Sequence, residues 1–108
     1  MATIHLPTEQ ITDFQSFHTI CKQVFGFPDF YGMNGNAWID CLTYLDESDG
    51  MSRFQLVPGE RVYVEVPGTK EFSARVPDVF AALVEWSAFV NQRHVEDGKQ
   101  PMLALIFL

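Results

Sequence analysis

Basic residues are scarce in this chain and missing from its most distinctive stretch. Seven Lys and Arg stand against fourteen Asp and Glu in 108 residues, a net charge of −7. Between Lys22 and Arg53 there is no basic side chain, while Asp29, Asp40, Asp46, Glu47 and Asp49 all fall in that window. Nucleic acid is therefore not expected as a direct ligand, because phosphate contacts rest on Lys and Arg. Cysteine is as sparse. Cys21 and Cys41 stand in no Cys-x-x-Cys spacing, and there is no His-x-His or His-Glu-x-x-His, the spacings that metal sites use. His18 and Cys21 lie three apart, but no second pair follows, so neither metal nor cofactor is expected. No phosphate-cradling loop or dinucleotide fingerprint occurs.

Long apolar runs are also lacking. None reaches the roughly eighteen residues of a membrane span, and the N-terminus Met-Ala-Thr-Ile-His-Leu-Pro has no positively charged start with an apolar run behind it. A cytoplasmic protein with buried, reduced thiols is the expectation, a disulfide the alternative. Cys41 has Asp40 beside it, the reverse of the electropositive setting that a thiolate nucleophile needs. Asp40 and Glu47 lie about 10 Å apart along a helix axis, so they form no acid–base pair. The chain does not read as an enzyme.

What is present is a strongly patterned stretch over residues 27–47. Its first half is loop chemistry: Pro28 biases Phe27 away from the helical region, and Gly32 and Gly35 allow backbone angles that other residues avoid. Asn34 can then cap a helix whose apolar stripe is Trp38, Cys41, Leu42 and Leu45, at i, i+3, i+4 and i+7. Asn36, Ile39, Asp40 and Thr43 fall on the opposite side, in a sector about 100° wide. A solvated helix face accounts for them without a function. An acidic patch framed by Phe30, Tyr31 and Tyr44 that meets a basic protein accounts for them with one.

With 47% hydrophobic residues in this length, one domain over residues 1–108 can bury a core without staples. Residues 2–6 alternate as a short strand that Pro7 ends. Thr12 or Asp13 can cap the next helix, Thr12 and Gln15 having capping-box spacing. Phe14, Phe17, His18, Cys21, Val24 and Phe25 share that helix's apolar face, and Gly26 stops it. Residues 46–60 read as a long connection anchored by Phe54, Leu56 and Val57. Residues 61–66 alternate as a clear strand. Residues 70–76 form one helical turn or none. Pro77 and Asp78 then open a helix to about Gln92, striped by Val79, Leu83, Trp86 and Val90, widened by Phe80 and Phe89, and buried on more than one side. Residues 102–108 are uninterrupted apolar, as in a strand covered on both faces. The expected fold is α/β, a three-stranded parallel sheet with the C-terminal strand central and three to four helices packed on it.

Phe27-Pro28-Asp29-Phe30-Tyr31-Gly32, followed by Asn34, Ala37 and Asp40-Cys41-Leu42-Thr43, resembles the barstar family of bacterial ribonuclease inhibitors, as do Glu9-Gln10-Ile11 and His18 upstream. The resemblance implies a small parallel sheet with helices packed on it, including a short helix near 70–76. It also implies an immunity protein, monomeric when free, that blocks the active site of a basic ribonuclease or toxin. The alternative is a module that keeps the fold and binds through another surface. Asp40 matches the family's phosphate-mimicking aspartate. The expected contact residues are Phe30, Tyr31, Gly32, Asn34, Gly35, Asn36, Ile39, Asp40, Thr43 and Tyr44, with Asp78 in place of a glutamate of the family's last helix. The chain departs from the pattern in having Asn36 for a second aspartate, Ile39 for a tryptophan and Phe30 for a tyrosine. Trp38 is assigned to packing.

Overall fold

A computed structural model of the chain describes residues 2–45 and 59–108. The connection read over 46–60, with Phe54, Leu56 and Val57, thus lies outside the described residues except for Gly59 and Glu60.

Three parallel strands, β1 (Ala2–His5), β2 (Val62–Val66) and β3 (Leu103–Phe107), form a sheet in the order β1-β2-β3. Helices α1 (Phe14–Phe25) and α2 (Gly35–Thr43) lie between β1 and β2, and α3 (Thr69–Arg75) and α4 (Pro77–Glu96) lie between β2 and β3. The central strand is therefore β2, not the C-terminal strand. Its register sets Val62, Val64 and Val66 opposite Leu103, Leu105 and Phe107, and Tyr63 and Glu65 opposite Ala104 and Ile106. The three valines are buried and the residues between them are not, so one face of the sheet is closed and the other only half covered. Both crossovers step the same way, β1 to β2 to β3, and with the right hand that parallel crossovers generally take, both sets of helices cover one face. The apolar run of β3 is accordingly half-buried at Ala104 and Ile106; Phe107, level with Val66 on the other face, is exposed at the end of the strand.

Helix α1 begins at Asp13, whose Oδ1 accepts from Ser16 N–H at 2.8 Å while Ser16 Oγ accepts from Asp13 N–H at 3.0 Å. Both groups of a capping box are present, built by Asp13 and Ser16, not by Thr12 and Gln15. The helix ends at Gly26, whose φ of 67° closes it in the left-handed region. The doubtful segment near 70–76 is a two-turn helix, α3. Arg75 on it donates to the carbonyls of Ile11 (2.6 Å) and Thr8 (3.0 Å), tying it to the N-terminal segment.

Helix α4 runs to Glu96, past Gln92, because His94 is buried in its last turn. Val79, Leu83 and Val90 are buried as the stripe requires, but Val84 and Phe89 are exposed, so the helix is covered along one side. Asn91 joins α4 to β3: its Oδ1 accepts from Met102 and Leu103 N–H at 2.9 and 2.8 Å, and its Nδ2 donates to Leu103 O at 2.9 Å. The core gathers Leu6, Ile11, Phe17, Cys21, Phe25, Phe27, Trp38, Leu42 and Leu45 with the valines of β2. Both cysteines are free and buried.

Candidate protein-binding face

The loop between α1 and α2 is pinned from below. Phe27 is fully buried, Tyr31 N–H donates to Pro28 O at 3.0 Å, and the Tyr31 ring is only 6% exposed. Its hydroxyl meets His18 Nδ1 of α1 at 2.5 Å. Burial lowers the His18 pKa and raises that of Tyr31, so both partners stay neutral. Trp86 of α4 stacks on His18, with centroids 5.7 Å apart and planes 18° off parallel, and also borders Phe14, Phe17 and Trp38. The loop thus rests on a layer of rings drawn from three helices.

The positive φ that glycine was expected to supply falls instead on Met33, at 55°. Gly35 serves a different need: a Cβ there would lie 2.8 Å from Trp86 Cζ2. Asn34 caps α2 as the sequence indicates, its Oδ1 accepting from Ala37 N–H at 2.8 Å and its Nδ2 reaching Gly32 O at 3.2 Å.

Helix α2 buries Trp38, Cys41 and Leu42, with Leu45 just beyond it also buried. On its outer side Asn36 is exposed, Asp40 and Thr43 are half-exposed, and Thr43 Oγ1 donates back to Ile39 O at 2.6 Å. The Asp40 side chain keeps 44% of its exposure and accepts at Oδ1 from Arg93 Nη1 of α4 at 2.5 Å. One residue further on, His94 Nε2 lies 2.8 Å from Thr43 O; a carbonyl only accepts, so the proton is on Nε2. Burial pushes the Cys41 thiol up to about 11, with the Asp40 charge adding to it, and Cys21 up to about 12. Neither is a nucleophile near neutral pH.

Phe30 (76% exposed), Gly32, Asn34, Asn36 and Tyr44 are thus open to solvent around the N-terminal and outer sides of α2, with Gly35, Asp40 and Thr43 partly so. Two expected contact residues are not. Tyr31 is held inward by His18, and Ile39 is 7% exposed because it lies about 60° from Leu42 around the helix and joins the apolar stripe. Both support the face from beneath. Asp78 is exposed at the start of α4, where its Oδ1 accepts from Val79 N–H at 3.0 Å. Fifteen residues separate it from Arg93, about 22 Å of helix axis, so it does not stand beside Asp40. The residue that does, Arg93, carries no mark in the sequence; its position in the last turn of a helix accounts for a cation there without reference to α2.

No curated protein sequence matches the chain significantly. The family model described as Barstar (barnase inhibitor) matches residues 1–106, nearly the full length and all the elements described above but the last residue of β3. The three-stranded parallel sheet with its four helices is consistent with that match, and the chain belongs to the barstar family.

Proposed function

We propose that the protein is an intracellular inhibitor of a basic ribonuclease or related toxin, and not itself an enzyme. It is a monomer until it binds, and it covers the ribonuclease active site with the 30–36 loop and the outer side of α2. Membership of a family of barnase inhibitors supports the reading, and the observation that carries it is Asp40: a carboxylate nearly half exposed on a helix fixed by an N-cap and a ring layer. A ribonuclease holds RNA phosphate with Arg, Lys and His, and a carboxylate on a rigid support can take the phosphate's place. The acidic chain also steers encounter with a basic partner, in a salt-sensitive way.

The alternative, a module that keeps the fold but no longer inhibits, draws on the Asp40–Arg93 pair, since a bridged carboxylate is less available than a free one. The pair lies at the surface, where ion pairs contribute only ~0–1 kcal/mol, so a stronger cation displaces Arg93. The test is RNA cleavage by ribonuclease toxins encoded in the same genome, followed with increasing protein. Inhibition that RNA relieves competitively supports the active-site reading. Binding without inhibition supports the module.

A further inference from the structure

The contact face carries a cation of its own. Arg93 pairs with Asp40, and both side chains are a little under half exposed. An ion pair this open exchanges partners readily. The backbone that carries Arg93 stays at the face. His94 is buried and bonded to the Thr43 carbonyl, and the backbone after it closes on α4, with Asp97 N–H donating to the carbonyls of Arg93 and His94 at 3.1 and 3.2 Å. The Arg93 backbone is therefore fixed beside α2, and it carries a guanidinium, a planar cation with five donors. Whatever brings a positive group to Asp40 also brings it to Arg93.

We infer that Arg93 is a specificity determinant: it favours a partner that sets a carboxylate beside the cation directed at Asp40, and it rejects a ribonuclease whose matching surface is cationic throughout. The inference rests on the reading of Asp40 as the contact residue. With a mixed partner four charges alternate in sign, and the guanidinium fork of Arg93 takes the partner's carboxylate in two parallel hydrogen bonds. With a uniformly cationic surface Arg93 becomes a like charge in a closing interface, which weakens binding and slows encounter.

The probe is a basic ribonuclease whose RNA-binding site is lined by Arg, Lys and His with no carboxylate among them, the surface that Arg93 should reject. The wild-type protein, Arg93→Asp, Arg93→Ala and Asp40→Ala are titrated against it at low and high salt, with thermal melts to check that each is folded. Lys70→Asp makes the same charge change as Arg93→Asp but on α3, and controls for net charge. Arg93→Asp is expected to bind that ribonuclease at least about tenfold more tightly than wild type, Arg93→Ala to fall between, and Lys70→Asp to change binding far less. Asp40→Ala should weaken binding. If it does while Arg93→Asp brings no gain, the inference fails and the reading of Asp40 stands. A gain from Arg93→Asp with no loss from Asp40→Ala overturns the reading of Asp40 and the inference with it. An equal gain from Lys70→Asp, or no binding by any protein including Arg93→Asp, also overturns the inference.

Discussion

Gly35 and Trp86 approach so closely that a Cβ on the glycine would lie 2.8 and 2.9 Å from two atoms of the indole ring. The ring is itself packed against His18, Phe14, Phe17 and Trp38, so it cannot turn aside. Gly35→Ala gains helix propensity, about 1 kcal/mol at most, and loses more to overpacking, which costs about 1–3 kcal/mol. The net effect is a loss of stability of up to about 2 kcal/mol, measured by urea unfolding. In a Trp86→Leu background the same substitution should cost clearly less, and equal costs in the two backgrounds would remove the steric account.

The His18–Tyr31 bond predicts both a mutational and a pH effect. Tyr31→Phe leaves the His18 Nδ1 buried without a partner and should destabilise by about 1–3 kcal/mol. Burial holds His18 below its ordinary pKa of 6.5, so as pH falls through that value the unfolded chain takes up a proton that the folded one resists. Stability from this site is fully present above about pH 6.5 and is lost as pH falls toward the folded value. Unfolding free energy measured from pH 5 to 8 should decline on the acid side, and His18→Asn should remove part of that slope. An unchanged slope would place the acid sensitivity elsewhere.

Asn91 satisfies two backbone donors and one acceptor at the start of β3. Asn91→Ala strands all three, and a loss on the order of 3 kcal/mol is expected. Amide hydrogen exchange gives the sharper check, since Met102 and Leu103 N–H should lose protection before the rest of the sheet. Uniform loss across the sheet would mean that Asn91 contributes only to global stability.

Burial raises Cys21 to about 12 and Cys41 to about 11. Neither thiol should react with a thiol reagent at pH 8 in the native protein, and both should react in denaturant. Rapid native labelling of Cys41 would show that α2 opens at its outer edge.

Much of this is legible in the sequence. The period of Trp38, Cys41, Leu42 and Leu45, the Asn34 cap and the Gly26 stop are local features, set by neighbours three or four residues away. The order of strands in the sheet is not local. An apolar run such as 102–108 reads the same at the centre of a sheet as at an edge where one face is only half covered. Likewise the departures at the candidate face all come from tertiary packing. Tyr31 is turned inward by a histidine thirteen residues away, Ile39 by the width of the apolar stripe, and Asp40 meets a cation 53 residues later in the chain. Asp78 shares with the family's glutamate only its place at the start of a helix, whereas the residue that pairs with Asp40 lies at that helix's other end.

The central claim is that Asp40 takes the place of a substrate phosphate in a ribonuclease active site. Calorimetric titration of the protein and of Asp40→Ala against the ribonuclease it inhibits tests it most directly. Truncating one member of a buried charge pair costs on the order of 2–5 kcal/mol, a range drawn in part from the barnase–barstar complex itself. A loss above about 2 kcal/mol, thirtyfold or more in Kd, with the melting temperature little changed, is the predicted result. Equal affinity of the two proteins would contradict the claim and move the contact away from α2.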